Sequence, residues 1–312
     1  MIHKMIIIGS GPAGLTAGIY AGRSKLKPLI FEGNQPGGQL TTTTRVENWP
    51  SYLSIDGTEL MNTMREQAQK CGAQLISDEI ASVDLSHKPY TLTTRGKKTF
   101  QTETLIVTTG ATSKKLGCLG EKEYWGRGVT TCATCDAPFM EGQEVVIVGG
   151  GNTAVTEAEH LSHFARKVTI VHILDKLTAT DPIKDRVLAD PKVTLIYNST
   201  VLEIKGDGEH ITEVVIENQK DKSTSILPAY GLFIAIGFKP NTDLFQGQME
   251  IDRWGHLILK ENTQTSVEGV FAAGDVVDHR YKQAITSAGD GCKAALDAEM
   301  YLTGKITVTY TK

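Results

Sequence analysis

The sharpest chemistry in the sequence lies in five consecutive residues, Cys132-Ala133-Thr134-Cys135-Asp136. Two cysteines three positions apart can close a small, strained ring, which makes a reducible disulfide with a low-pKa thiol. The same spacing could be half of a zinc site, but no second CxxC accompanies it. Redox chemistry is the better reading of a lone CxxC beside nucleotide-type turns. Asp136 adjoins the second thiol, where a carboxylate could shuttle a proton to a leaving thiolate. It could instead cap the turn at Ala137-Pro138. The other cysteines, Cys71 at a helix end, Cys118 in a loop and Cys292 in a helix, are assigned no role.

Two glycine turns could hold the partners of such a disulfide. Gly9-Ser10-Gly11-Pro12-Ala13-Gly14 follows an apolar run at residues 5–8 and opens a helical stretch at 15–23. Gly149-Gly150-Gly151-Asn152-Thr153-Ala154 follows the run 145–148 and opens 155–164. In a GxGxxG turn the first glycine permits the bend and the second lets the backbone approach a pyrophosphate. The third lets the helix pack on the strand, while helix N–H groups face the anion. A strand before and a helix after are the context that raises such a match above a tight turn, although Ala154 replaces the third glycine of the second turn. The second strand of each unit should end in a group for the adenine ribose. At 23 positions from Gly9 stands Glu32, and at 23 from Gly149 stands His172. A solvated strand end is the plainer reading of Glu32, but residues 29–31 before it are all apolar.

The elements that must position these groups read as a repeated strand–turn–helix–strand pattern, the second copy 140 positions after the first. That predicts an α/β fold with two Rossmann-like dinucleotide-binding domains. The 312 residues are enough for about two domains of ordinary size. Further strands are expected at residues 105–108, 232–236 and 270–273, and antiparallel strands within 192–226. A last helix is expected over 284–302, with Gly289 and Gly291 where something packs closely. A net charge of −4, with no basic run of five, argues against nucleic acid as a partner. No apolar run is long enough to span a membrane, and an odd, sparse count of five cysteines is unlike a secreted disulfide framework. A cytoplasmic protein is expected. Glycine, 31 of 312 residues, is above the average of about 7%, which suits tight turns or close backbone approach.

With these motifs assembled, the sequence resembles the low-molecular-weight thioredoxin reductases over essentially its whole length. The resemblance is carried by residues 9–14, Pro36-Gly37-Gly38-Gln39-Leu40, Val46-Glu47-Asn48-Trp49-Pro50, 132–136, 149–154, 269–275 and 283–289. It implies an FAD domain in two pieces, 1–113 and 239–312, with a pyridine-nucleotide and CxxC domain, 114–238, inserted between them. Gly9, Ser10, Gly11, Pro12, Ala13 and Gly14 would cradle the FAD pyrophosphate, and Glu32 its ribose. Gly38, Gln39, Leu40, Asn48 and Gly110 would lie near the flavin, with Gly274 and Asp275 at the ribityl chain. Lys282, Gln283 and Ala284 would line the ring system, although the family usually has Arg at the position of Lys282. Gly149, Gly151, Asn152, Thr153, Ala154, Glu157 and His172 would serve the nicotinamide nucleotide. Cys135 would face the flavin, Cys132 would attack the substrate disulfide, and Arg127 resembles a thioredoxin-docking residue. The resemblance also implies a homodimer, and a middle domain that rotates about its two short crossings.

One string departs from the family. His-Arg-Arg-x-x-x-Arg, whose arginines hold the 2′-phosphate of NADPH, is here His172-Ile173-Leu174-Asp175-Lys176-Leu177-Thr178. Either Lys176, Lys184 or Arg186 supplies the charge, or the donor is NADH or another reductant. The expected activity is therefore thioredoxin-disulfide reduction through FAD by NADPH or NADH. A ferredoxin-fed reductase or a dithiol oxidase is the alternative, and a redox sensor that turns over little is a third.

Overall fold

The computed structural model of the chain describes residues 1–43 and 45–304, the side chains of Pro182 and Ile183 apart. In chain order it begins with strand β1 (Ile2–Ile8), helix α1 (Pro12–Arg23) and β2 (Leu29–Phe31). Helix α2 (Gly57–Lys70) follows, started by Asp56, whose carboxylate accepts the N–H groups of Thr58 and Glu59. Strands β3 (Gln74–Ile76), β4 (Ile80–Asp84), β5 (Tyr90–Thr94), β6 (Thr99–Val107) and β7 (Ala111–Ser113) complete the first segment. The middle segment has β8 (Val129–Thr130), the short helix α3 (Ala133–Asp136), β9 (Glu144–Val148), α4 (Asn152–Ser162) and β10 (Lys167–Val171). It continues with α5 (Asp181–Ala189), β11 (Val193–Ile196), β12 (Ser199–Gly206), β13 (Ile211–Asn218), β14 (Thr224–Pro228) and β15 (Gly231–Ile234). Strands β16 (Phe238–Pro240) and β17 (Val270–Ala272) and the long helix α6 (Ala284–Thr303) close the described chain. None of these helices is long and apolar enough to cross a membrane.

Internal contacts divide the chain into two compact units, Met1–Thr112 with the chain from Lys239, and Ser113–Phe238. The first unit is built on a seven-stranded sheet ordered β3-β2-β1-β6-β5-β4, with β17 also on β6. Its strands β3, β2, β1, β6 and β17 run parallel, whereas β4 and β5 add as an antiparallel hairpin. The two-residue period of β1 sends Met5 and Ile7 to one face, against Leu15 of α1, Met61 of α2 and Ala294 of α6. Ile6 and Ile8 point to the other face, against Leu92, Phe245 and Leu257. Strands buried on both faces are why residues 5–8 read as an unbroken apolar run.

The second unit repeats the logic with a parallel five-stranded sheet, β11-β10-β9-β15-β8. Val145 and Ile147 face Val155 and Leu161 of α4. Val146 and Val148 face the antiparallel sheet β12-β13-β14 through Ile204, Val214 and Ile216. The alternation expected over 192–226 is thus mixed: β11 joins the parallel sheet, and only from Ser199 onward do the strands run antiparallel. Of the expected second flavin segment, residues 305–312 lie outside the described residues.

Candidate active site

The first glycine turn is tight for reasons visible at each position. Gly9 has φ of +109°, and a Cβ there would stand 2.3 Å from the Thr108 carbonyl oxygen. Thr108 in turn donates its hydroxyl to the carbonyl oxygens of Ile8, at 2.9 Å, and Gly9, at 3.1 Å. At Gly14 a Cβ would fall 1.9 Å from the Gly9 carbonyl oxygen, so only glycine lets α1 sit this close to β1. Gly11 differs: a Cβ there would meet nothing within 4 Å. It is the N-cap of α1, which has no side-chain cap and no acidic residue in its first turn. The helix N–H groups therefore face an open space of favourable polarity for an anion.

Beside the turn lies a cleft of about 200 Å³ lined by Ser10, Leu15, Glu32, Pro36, Gly37, Met61, Asn62 and Arg65. Glu32 is 3% exposed at the end of β2. Its carboxylate accepts two bonds from Arg65, at 2.7 and 3.1 Å, and one from Ser77 at 2.7 Å. Burial alone would raise its pKa, but these hydrogen bonds and the Arg65 charge outweigh it and hold the pKa below the ordinary value. Glu32 is therefore no solvated strand end. Sequence reasoning passed over Arg65 and Ser77, which lie 33 and 45 positions away with no local signal.

The remaining residues expected at the flavin fall in three loops of the same unit. Gly38, Gln39 and Leu40 lie in a short 3₁₀ turn whose Gly38 Cβ would approach the Gly11 Cα at 3.3 Å, and Gln39 donates to the Ala111 carbonyl. Asn48 donates to the Gln283 side chain at 3.4 Å. Gly110 has φ of +67° with open space where a Cβ would stand. Gly274 lies against Ala13, and Asp275 accepts a hydrogen bond from Ser287 at 3.0 Å. Burial pushes the Asp275 carboxyl up, and the Ser287 bond only partly offsets it. Lys282 takes φ of +48°, held by its N–H to Asp278 at 2.8 Å. Gln283 caps α6 in a capping box with Thr286, and Ala284 is the first helical residue. Of the two glycines in α6, Gly291 is the close one, its Cβ position 2.0 Å from the Ala13 carbonyl oxygen; Gly289 faces open space. The close approach there is helix on helix.

The second turn follows the same plan with different closure. Gly149 has φ of +142°, Gly151 is the N-cap of α4 with no side-chain cap, and the Ala154 methyl is fully buried. Gly150 is held shut from outside: its carbonyl oxygen accepts the N–H groups of Thr178 and Ala179, at 2.8 and 3.1 Å. A Cβ on Gly150 would lie 2.4 Å from the His172 ring, which packs across the turn. His172 is 6% exposed, with Nε2 buried and no hydrogen-bond partner, and burial lowers its pKa. Asn152 accepts the Thr180 N–H at 2.8 Å, and Thr153 is exposed. Where the family arginines would stand, Ile173 and Leu174 are 56% and 48% exposed. Lys184 is paired with Asp181, and Arg186 grips Glu159 through two bonds at 2.7 and 3.1 Å.

Two cysteines of the same unit, Cys132 and Cys135, are joined, with Cα atoms 5.3 Å apart. Cys132 is the N-cap of α3, its sulfur accepting the Cys135 N–H at 3.2 Å, and both cysteines are partly exposed. Thr130 accepts the Cys132 N–H at 3.2 Å and bonds the Asp136 carboxyl. Asp136 makes no capping bond to the following turn, so the turn-cap reading fails. Burial raises its pKa against the opposing Thr130 bond, as a proton carrier beside a thiol requires. Glu157 of α4 also reaches this place. It accepts the Ala133 N–H, leaves Oε2 buried without a partner, and is pushed by burial to a pKa of about 7. Its link to the cysteine turn, 24 positions away, was not foreseen, although its i+3 spacing from Ala154 puts it on the same helix face. Arg127 donates to the Gly208 carbonyl at 2.8 Å on an exposed corner.

A family model described as "Pyridine nucleotide-disulphide oxidoreductase" matches residues 3–291. The chain is 46% identical over 312 residues to a thioredoxin reductase of Dictyostelium discoideum, covering 96% of this chain and 98% of that one. It is 49% identical to a thioredoxin reductase of Streptomyces clavuligerus, covering 96% and 94%. The chain belongs to the thioredoxin reductase family of pyridine nucleotide-disulphide oxidoreductases. A solved thioredoxin reductase from Giardia duodenalis matches with a TM-score of 0.92 and 46% identity, over 96% of this chain and 98% of that one. Membership makes the chain an FAD- and nicotinamide-dependent oxidoreductase, and the joined Cys132–Cys135 pair fits the redox-active disulfide of that family.

Proposed function

We propose that the chain carries electrons from a reduced nicotinamide nucleotide, through FAD and the Cys132–Cys135 disulfide, to the disulfide of a thioredoxin. The observation that carries this reading is the joined cysteine pair at a partly exposed turn, followed at once by Asp136, whose carboxyl pKa burial raises. In balance, the nucleotide gives up a hydride and one proton is taken up. The cysteine pair becomes a dithiol, and the partner's disulfide then accepts those two electrons and two protons. When bound, FAD supplies the two-electron relay between nucleotide and disulfide.

The residues fit that group. Gly11 offers bare backbone and uncapped helix N–H groups to a pyrophosphate, and Glu32 lies in the adjoining cleft. Asp275, protonated more readily than an ordinary aspartate, can donate or accept at a hydroxyl. Gly151 offers the same uncapped helix start to the nicotinamide nucleotide. Cys132 attacks the partner disulfide as a thiolate. Asp136 holds the proton that the other thiol must gain or lose, and Glu157 fixes the backbone at Ala133 between them.

For the donor we read NADH as accepted at least as well as NADPH. Ile173, Leu174 and Thr178 offer no bidentate partner to a 2′-phosphate, and two of the nearby cations, Lys184 and Arg186, already hold carboxylates. A charge-assisted pair is worth about 1.5–3 kcal/mol, so its loss removes tenfold or more of preference. Cytoplasmic residence and a homodimer belong to the same reading and rest on the resemblance; light scattering tests the second.

The deciding experiment is purification with its flavin spectrum, then thioredoxin-coupled disulfide reduction with each donor. Native protein should be yellow and turn over repeatedly, and Cys135→Ser should keep the flavin but lose turnover. Oxygen consumption with dithiol and no thioredoxin reduction would overturn the reductase reading. A strong NADPH preference in stopped-flow flavin bleaching would overturn the donor reading alone.

A further inference from the structure

Far along the sequence from every residue assigned above except the loop at 274–283, three side chains converge that the proposed reaction does not use. The turn from Asp252 to His256 is closed by an antiparallel bridge between Ile251 and Leu257 and by the Asp252 N–H to the His256 carbonyl at 2.9 Å. Leu257 N–H donates to the Val276 carbonyl at 3.0 Å, which lays the turn against the loop that carries His279. Asp252 uses one oxygen, Oδ1, for the backbone N–H groups of Trp254 and His256, at 2.8 and 2.9 Å. Its other oxygen, Oδ2, faces His279 Nε2 at 3.3 Å and His256 Nδ1 at 3.8 Å.

His256 is the telling residue. It is 6% exposed, and both ring nitrogens are buried without a hydrogen-bond partner. A buried imidazole with two orphaned nitrogens is costly unless something binds it. Its ring lies 4.1 Å from that of His279, centroid to centroid, too close for two imidazolium ions to be comfortable. One ligand atom from each of Asp252, His256 and His279 lies within 4.8 Å of the other two.

We propose that Asp252, His256 and His279 form a binding site for a divalent cation of the zinc class. Bonds of about 2.0–2.2 Å in a tetrahedron set neighbouring ligand atoms roughly 3.3 Å apart, so the three atoms need move little more than an ångström to close. Two imidazoles and one carboxylate suit zinc better than magnesium or calcium, which prefer oxygen, or copper(I), which prefers thiolate. The backbone N–H groups on Asp252 Oδ1 orient the carboxylate, as partners behind a metal ligand do. His279 is half-exposed, which leaves the fourth position to water. A cation here would tie the 252–256 turn to the segment leading to Lys282.

The test is calorimetric titration of zinc into the oxidised, flavin-loaded protein after chelator dialysis, with thermal melts in parallel. One zinc should bind saturably and raise the melting temperature. His279→Ala and Asp252→Asn should each weaken that binding by at least about tenfold, since even residues behind the ligands cost 10–100-fold. Both substitutions lie on an accessible turn and loop, so their folding can be checked by flavin content; His256→Phe fills the buried place and should abolish binding. His163→Ala, at the other close histidine pair, His160 and His163, should change nothing. Absence of saturable zinc binding, binding unaltered by His279→Ala and Asp252→Asn, or binding lost in His163→Ala would each overturn the proposal.

Discussion

The two glycine turns are built on one plan, yet they are locked in different ways. In the first, closure is internal: Gly14 touches the Gly9 carbonyl, and no side chain could be added there. In the second, Ala154 brings a buried methyl, and closure comes from outside, from the His172 ring and the N–H groups of Thr178 and Ala179. The strand ends differ more. Glu32 is a buried carboxylate satisfied by Arg65 and Ser77, whereas beyond His172 the chain presents exposed Ile173 and Leu174. The turn shapes are generic phosphate cradles, so discrimination between nucleotides must reside beyond the end of the second strand.

The largest expected effect breaks the first turn. Gly14→Ala places a Cβ 1.9 Å from a backbone oxygen, which no rotamer can relieve. Overpacking of this kind costs about 1–3 kcal/mol, and here the strain falls on the proposed pyrophosphate cradle. The purified variant should be colourless, with flavin content measured by absorbance; a fully yellow variant would contradict the assignment of this turn. Next in size is a transplant into the second unit. Ile173→Arg with Leu174→Arg supplies two cations where two apolar side chains face solvent. Preference for NADPH over NADH in flavin bleaching should rise about tenfold or more. No change in the ratio would mean that the 2′-phosphate is read elsewhere.

A third contrast sets one carboxylate from each unit against the other. Glu157 is raised from 4.5 to about 7 by burial, so its folded form holds a proton that the unfolded chain has lost. Its contribution to stability is complete below about pH 4.5 and is lost as pH rises through about 7. Glu157→Gln should therefore stabilise its unit at pH 8 by about 1–2 kcal/mol, a figure discounted for partial exposure, and do nothing at pH 4. Glu32 has the opposite sign. Its lowered pKa gives stability that is present above the ordinary carboxylate range and lost as pH falls through the folded value. Glu32→Gln should cost about 1–3 kcal/mol at pH 7, fading in acid. Hydrogen exchange resolved by unit is the suitable measurement, because two units need not unfold together. A pH-independent gain in Glu157→Gln would sink the burial argument.

Much of this was legible because the informative physics is local. Strand, glycine turn and helix are set by neighbours within about 20 residues, and CxxC needs only four positions. What escaped depends on long-range register. In β4 the buried residues Ile80 and Val83 are three positions apart, so its two-residue period was weak, although β5 alternates regularly. Arg65 and Ser77 reach Glu32 only after α2 and β3 are packed beside β2. Glu157 was placed at the nucleotide by resemblance, but its contact with the cysteine turn comes from α3 packing on α4. Asp252, His256 and His279 gave no motif, because their meeting depends on the bridge that pairs Ile251 with Leu257 and the bond that ties Leu257 to Val276.

The smallest expected effect sharpens the comparison of the two turns. Ala154→Gly gives the second turn the third glycine of the first and removes one buried methyl from α4. Helix propensity and the lost methyl together cost about 1 kcal/mol. Nucleotide affinity should stay within about twofold, because Gly151 and the helix N–H groups, which face the proposed phosphate, are untouched. Titration of the nucleotide against flavin-loaded variant, with a melt of the same sample, separates the two quantities. If affinity fell as steeply as flavin does in Gly14→Ala, the third position would act on the ligand directly. If only stability moved, that position is a packing site in both turns, and the flavin lost in Gly14→Ala reports the displaced backbone of a cradle that has no room to give.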